Sequence, residues 1–142
     1  LVDRYGAAAA VRVGLLAMLS GAVAMALFAP GYGVYGYAGA LSIITAGYAL
    51  FQTANNSAVM TGAELRQRGV VAALLGLSRN LGLVGGASVM AAVFAYAAGA
   101  DRLAAGDPDA ILFGFRSVFM LAALAVGMTL VLEISMKRTV QK

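Results

Sequence analysis

Residues 70–98 read VVAALLGLSRNLGLVGGASVMAAVFAYAA, an apolar run that contains one charged side chain, that of Arg79. As an α-helix this run is roughly 43 Å long, because each residue adds 1.5 Å. A hydrocarbon core of roughly 30 Å is crossed by about 20 apolar residues. The run therefore predicts a membrane-spanning helix that is tilted or that begins in the headgroup region.

Three further apolar runs flank this one, and each is also long enough to cross a bilayer. They cover residues 7–28, 39–60 and 110–135. A Gly- and Tyr-rich turn at residues 31–37 and two polar loops, residues 61–69 and 99–109, separate the four runs. The expected fold class is an all-α integral membrane protein with four transmembrane helices and no separate soluble domain.

The composition of the whole chain agrees with a lipid environment. Of the 142 residues, 62% are hydrophobic and 11% are charged. A soluble domain has about 45–50% apolar and about 25% charged residues, and a chain this short cannot hide such a surplus from water. The composition therefore argues against a soluble globular enzyme and against a disordered segment.

Most of the residue types that carry catalysis and metal binding are missing. The sequence has no Cys and no His, so it lacks thiolate and imidazole ligands and the commonest general base. We therefore expect no enzymatic activity, no metal and no cofactor. Nucleic acid is not an expected partner either, because most of the ten basic residues are scattered between the apolar runs, as in cytoplasmic membrane loops.

The basic residues favour one side of the predicted bundle. That side carries Arg4, Arg12, Arg66, Arg68, Lys137, Arg138 and Lys142. The other side carries Arg102 and Arg116. The positive-inside rule places the basic side in the cytoplasm. We therefore expect a multi-pass protein of the plasma or inner membrane, with both termini and the 61–69 loop in the cytoplasm.

The second predicted span has a polar face. Residues spaced by three and four positions share this face: Ser42, Thr45, Ala49, Gln52 and Asn56. Amides inside a span need partners or water. One interpretation is a substrate cavity lined by Thr45, Gln52, Asn55 and Asn56. The alternative is that the amides hydrogen-bond neighbouring helices.

The third predicted span combines small residues with a charge. Gly82-x-x-x-Gly86 is a pattern that allows two helix backbones to approach closely, so both glycines are expected at a helix contact. Arg79 either contacts a substrate, or bonds a neighbouring helix or the lipid headgroups.

Other charged side chains are assigned to the ends of the spans. We expect Arg12 and Arg116 to reach the headgroups, and Glu133 is placed to pair with Lys137 one turn away. No carboxylate lies in the middle of a predicted span. If transport is coupled to protons, the coupling acid is expected elsewhere in a longer chain.

Three segments together resemble the major facilitator superfamily. The first resembles the end of the Asp-Arg-x-Gly loop motif and consists of Asp3, Arg4, Tyr5 and Gly6. Residues 51–60, FQTANNSAVM, are similar to the tenth-helix region of the drug:proton antiporter branch. The series Arg68-Gly69, Arg79-Asn80-Leu81-Gly82 and Gly85-Gly86 is similar to the helix that follows. The chain departs from the family where Ala7 and Ala8 replace the usual basic pair.

The resemblance implies the last four helices of a twelve- or fourteen-helix transporter, and a start at Leu1 agrees with a piece of a longer chain. It implies proton-coupled efflux of small amphipathic or drug-like molecules by alternating access. The implied partners are the lipid bilayer, the remaining transmembrane helices and the small-molecule substrate. Packing or gating roles are implied for Asp3, Arg4, Gly6, Arg79, Gly82 and Gly86. The alternative is a self-contained four-helix assembly or anchoring subunit.

Overall fold

The computed structural model of the protein describes residues 6–140. Its helices are α1 (Ala7–Leu27), α2 (Ala29–Gly62), α3 (Arg68–Ala98), α4 (Ala100–Ala104) and α5 (Pro108–Val140). No β-strand occurs among the described residues. The prediction of an all-α chain is confirmed.

Four of these helices are long and apolar enough to cross a membrane. They are α1, α2 from Gly31, α3, and α5 as far as Ser135. Within the chain, 39% of the most apolar stretch of α1 is buried, but the share falls to 11% in α2 and to 6% in both α3 and α5. Helices with so much exposed apolar surface suggest a multi-pass membrane protein.

The helix ends differ from the predicted spans mainly at the start of α2. The predicted turn at residues 31–37 is mostly helical and is broken at Gly33. Pro30 lies in the first turn of α2, where a missing N–H costs nothing. Gly33 adopts φ 59° and ψ −140°, a conformation that a residue without Cβ reaches easily. A second difference is the short helix α4 inside the predicted 99–109 loop.

Close backbone contact joins α1 to α2. A Cβ atom added to Gly14 would lie 2.7 Å from the backbone nitrogen of Phe51, and one added to Gly47 would lie 2.8 Å from the Gly14 carbonyl oxygen. Because backbone atoms cannot rotate away, only glycine fits at this crossing. About three turns further along α1, Met25 is fully buried against Ala40 of α2.

The four long helices are arranged in the order α2, α1, α5, α3. Helix α1 packs on both α2 and α5, and α3 packs on α5 with Gly114 against the ring of Phe94. Helices α2 and α3 make few contacts with each other, although residues 63–67 connect them directly. This arrangement leaves an open groove between α2 and α3.

An ion pair links the two helices α1 and α5. The Arg12 Nε donates a hydrogen bond to Glu133 Oε2 at 2.9 Å, with the Glu133 side chain 19% exposed. The sequence predicts Arg12 as a headgroup anchor, whereas the structure gives it a protein partner. The side chain of Lys137, the predicted partner of Glu133, lies outside the described ones.

Candidate binding groove between two helices

The groove between α2 and α3 has a volume of about 550 Å³. Helix α2 contributes Tyr48, Phe51, Gln52, Asn55, Asn56 and Met60. Helix α3 contributes Ala72, Leu75, Gly76, Ser78 and Arg79. Gln52 and Arg79 each lie roughly 15 to 17 Å along their helix from the connecting loop, because an α-helix rises 1.5 Å per residue. The loop therefore holds the two polar groups at matching depth.

Three of the four predicted substrate-binding residues come together in this groove. Gln52 and Asn55 are half-buried and Asn56 is exposed. None of their side-chain amides hydrogen-bonds another described residue. Within the described chain the amides are therefore not used to hold neighbouring helices together, and all three residues line the groove.

Thr45, the fourth predicted residue, is not among the side chains that line the groove. Its hydroxyl donates a hydrogen bond to the Leu41 carbonyl oxygen of its own helix at 2.8 Å. Ser42 makes the equivalent bond to the Ala38 carbonyl oxygen. Serine and threonine hydroxyls reach the carbonyl one turn back, so they are satisfied within the helix. The amides of Gln52, Asn55 and Asn56 make no such bond to a described residue.

Arg79 is the one charged side chain among the described residues that line the groove. It is exposed and forms no ion pair with a described carboxylate. Both interpretations of Arg79 made from the sequence, substrate contact and anchoring, remain predictions. The structure adds that Arg79 lines the same groove as the amides of α2.

The predicted packing glycines of α3 are open in the described chain. No atom lies within 4 Å of a Cβ added to Gly82 or Gly86. The close helix crossings use Gly14, Gly21, Gly47 and Gly114 instead. Ala10-x-x-x-Gly14 and Ala17-x-x-x-Gly21 in α1 are small-residue patterns of the same kind, so the sequence did hold a signal for this crossing.

The residues of the predicted loop motif are placed only in part. Asp3 and Arg4 lie outside the described residues. Gly6 precedes α1 with φ 79°, and its carbonyl oxygen accepts hydrogen bonds from the backbone N–H groups of Ala9 and Ala10. Gly6 therefore starts the helix, and its predicted gating role stays a prediction.

The acidic residues of the described chain do not form a metal site. No group of three or more His, Cys, Asp or Glu side chains within residues 6–140 is placed to hold a metal ion. The chemistry that the groove offers is hydrogen bonding, a positive charge and apolar contact.

Comparisons of the chain with known protein families, with curated proteins and with solved structures found no match.

Proposed function

We propose that this chain is part of a secondary active membrane transporter that exports small amphipathic molecules by alternating access. The observation that carries the proposal is the groove between α2 and α3. Polar side chains on membrane-crossing helices are costly unless they face water, a partner or a ligand. A groove that gathers Gln52, Asn55, Asn56 and Arg79 supports a path for a polar solute through the bilayer.

The mixed lining of the groove supports an amphipathic solute. Tyr48, Phe51 and Met60 present apolar surface beside the amides. Small-molecule sites typically measure about 300–1,000 Å³ and combine apolar walls with a few placed polar groups. The groove, at about 550 Å³, has the size and the lining of such a site.

The helix arrangement supports a moving rather than a static site. Helix α2 is held by α1, whereas α3 is held by α5, and the two walls of the groove barely touch. Alternating access requires one group of helices to move against another around a bound solute. We propose that the remaining helices of the transporter cover the open Gly82–Gly86 side of α3.

We further propose the orientation that the basic residues predict, with the connecting loop of α2 and α3 in the cytoplasm of the cell. Arg66 and Arg68 are exposed at that end. At the opposite ends of α2 and α3, Tyr35 is 90% exposed and Tyr96 is 92% exposed. Tyrosine side chains are enriched at the membrane–water interface, which supports an interfacial position for these ends.

The proposed energy source is the proton gradient, as the resemblance to the drug:proton antiporters implies. Glu133 lies two residues before the end of the apolar part of α5, and Arg12 is an ion-pair partner of its carboxylate. No described acid lines the groove. We therefore propose that the coupling acid belongs to another part of the transporter.

Loss of the groove amides tests this function. In cells that express the protein carrying this chain, Gln52→Leu and Asn55→Leu should each slow export of fluorescent amphipathic dyes by about tenfold. That factor corresponds to about 1.4 kcal/mol, the scale of one hydrogen bond. Membrane abundance and Tm should stay near normal, since neither amide bonds a described residue.

Thr45→Val is the matched control, because Thr45 is on the same helix but outside the groove. It should leave dye export unchanged. Unchanged export in both amide variants would contradict the proposed site and would favour the anchoring-subunit alternative. A fall in Tm that parallels the loss of export would show that the amides hold helices together instead.

A further inference from the structure

The charges around the groove point to the chemical class of its ligand. We infer that the groove between α2 and α3 binds an amphipathic anion, whose carboxylate, sulfonate or phosphate group contacts the guanidinium of Arg79. This inference rests on the proposed function and adds the charge of the substrate to it.

No described acid compensates the charge of Arg79. The described acidic residues are Glu64, Asp101, Asp107, Asp109 and Glu133. None of them lines the groove, and none forms an ion pair with Arg79. Asp107 and Glu133 are already paired, with Arg102 and Arg12. Within residues 6–140 the charge of Arg79 is therefore left for a ligand.

The charge pattern along α3 also favours an anionic ligand. Arg68 lies about three turns before Arg79 and is rotated from it by roughly 20° around the helix axis. Ala72 and Leu75, which lie between them, line the groove. The same face of α3 thus carries a cation at the loop end of the groove and another inside it. Charges of one sign along a cleft attract and orient ions of the opposite sign.

The other side chains that line the groove match an amphipathic anion. A guanidinium presents a planar pair of N–H donors that fits a carboxylate or a phosphate. The amides of Gln52 and Asn55 across the groove add N–H donors to the same anionic group. Phe51 provides apolar contact for the body of the molecule. An organic cation would instead meet Arg79 as a like charge, which disfavours its binding.

Two sources could supply this chemistry, an organic acid in solution and the headgroup of an anionic lipid. Both present an anionic group attached to an apolar body. The experiment below therefore includes one arm that separates them.

The test uses the protein that carries this chain, reconstituted in nanodiscs of phosphatidylcholine. Fluorescein and rhodamine 123 share a xanthene ring but differ in charge, so their Kd values from fluorescence anisotropy compare an anion with a cation of similar shape. We expect fluorescein to bind at least about tenfold more tightly than rhodamine 123. Arg79→Gln should remove this preference by weakening fluorescein alone.

Two further variants keep the result interpretable. Arg79→Lys retains the charge and should keep most of the preference for fluorescein. Arg116→Gln removes an exposed arginine of α5 that does not line the groove, and it should leave both Kd values unchanged.

The lipid arm repeats the titration in nanodiscs that contain phosphatidylglycerol. Weaker fluorescein binding in the unmodified protein, but not in Arg79→Gln, supports the anion site with a lipid headgroup as its occupant. Equal binding in both lipids supports the anion site with a soluble acid as its ligand.

Other outcomes overturn the inference. The anion site would be contradicted if rhodamine 123 bound as tightly as fluorescein, or if Arg79→Gln left the fluorescein Kd unchanged. Either result would still agree with a ligand-binding groove, and so with the proposed function. Binding of neither dye would contradict the anion site and also the proposed function.

Discussion

At the scale of single residues, Arg79 and Gln52 distinguish the groove from the other helix surfaces, because each is a polar side chain without a described hydrogen-bond partner. Both are polar, both lie roughly 15 to 17 Å from the connecting loop, and neither bonds a described residue. Thr45, two turns before Gln52 on α2, is also polar, but its hydroxyl donates a hydrogen bond to a backbone carbonyl of its own helix. A short hydroxyl side chain readily makes this bond to the preceding turn, which leaves it no free donor for a groove.

At Asp107 the structure predicts how the stability of the loop before α5 depends on pH. Its carboxylate accepts a hydrogen bond from Arg102 Nε at 2.9 Å and another from the Asp109 backbone N–H at 3.0 Å. The Arg102 bond first, and then the backbone bond, hold the pKa of Asp107 below its ordinary value. Because the pKa is lowered, the charged Asp107 carboxylate stabilises the loop at pH values above the ordinary pKa of Asp. This contribution is lost as the pH falls through the lowered pKa.

We expect Arg102→Gln to raise the pKa of Asp107 towards the ordinary value of an aspartate. The cause is the loss of the hydrogen bond and of the positive charge beside the carboxylate. A ¹³C NMR titration of the aspartate carboxyl carbons measures this shift directly. Arg116→Gln is the control, as Arg116 lies on α5 and makes no ion pair with Asp107. An Asp107 titration curve that Arg102→Gln does not move would contradict the loop geometry.

At the scale of the elements, glycine position decides which helices pack closely. Gly14 and Gly47 face each other across the α1–α2 crossing, where an added Cβ would meet backbone atoms at 2.7 and 2.8 Å. Gly82 lies on a part of α3 that has no neighbour within 4 Å of an added Cβ. Glycine therefore allows close packing at Gly14, whereas at Gly82 it makes no contact with another helix of the described chain.

We expect Gly14→Ala to destabilise the 142-residue chain in detergent by about 1–3 kcal/mol, the usual cost of overpacking. Gly82→Ala should be neutral or stabilising by up to about 1 kcal/mol, because alanine favours the helix more than glycine does. Thermal unfolding followed by circular dichroism compares the two variants. Equal losses of stability would show that α3 has a close neighbour at Gly82 in this chain as well.

Helix boundaries were largely predictable, whereas helix neighbours were not. Apolar length alone marks residues 70–98, and the structure has α3 at Arg68–Ala98. The side on which a helix packs is harder to predict when lipid and protein surfaces are both apolar, because the sequence then lacks a clear polar face. The Arg12–Glu133 pair, which joins residues 121 positions apart, could not be predicted from local spacing.

The candidate site was also predictable only in part, because the sequence shows which residues are polar but not which helices face each other. Gln52, Asn55 and Asn56 stand out as amides in an apolar run, and they do come together in the groove. Their position across the groove from Arg79 depends on the short connection between α2 and α3 and on the few contacts between these helices. The spacing of residues along one helix carries no information about how far apart two helices lie.

At the scale of the whole molecule, the proposed transport function requires a polar, water-accessible groove between helices that are otherwise surrounded by lipid. Helices α1 and α5 form the centre, and α2 and α3 stand on either side of the opening. The large exposed apolar side chains include Leu124 on α5, which is 64% exposed. We propose that lipid covers this surface and that water enters only between α2 and α3.

Cysteine accessibility tests this claim most directly, because the sequence contains no Cys. In inside-out vesicles, a membrane-impermeant thiol reagent should label Gln52→Cys in the groove. Leu124→Cys should remain unlabelled, although it lies at a similar depth, roughly 15 to 17 Å from the proposed cytoplasmic end of its apolar span. Rapid labelling of both positions would contradict a membrane-spanning bundle, and labelling of neither would contradict a water-accessible groove.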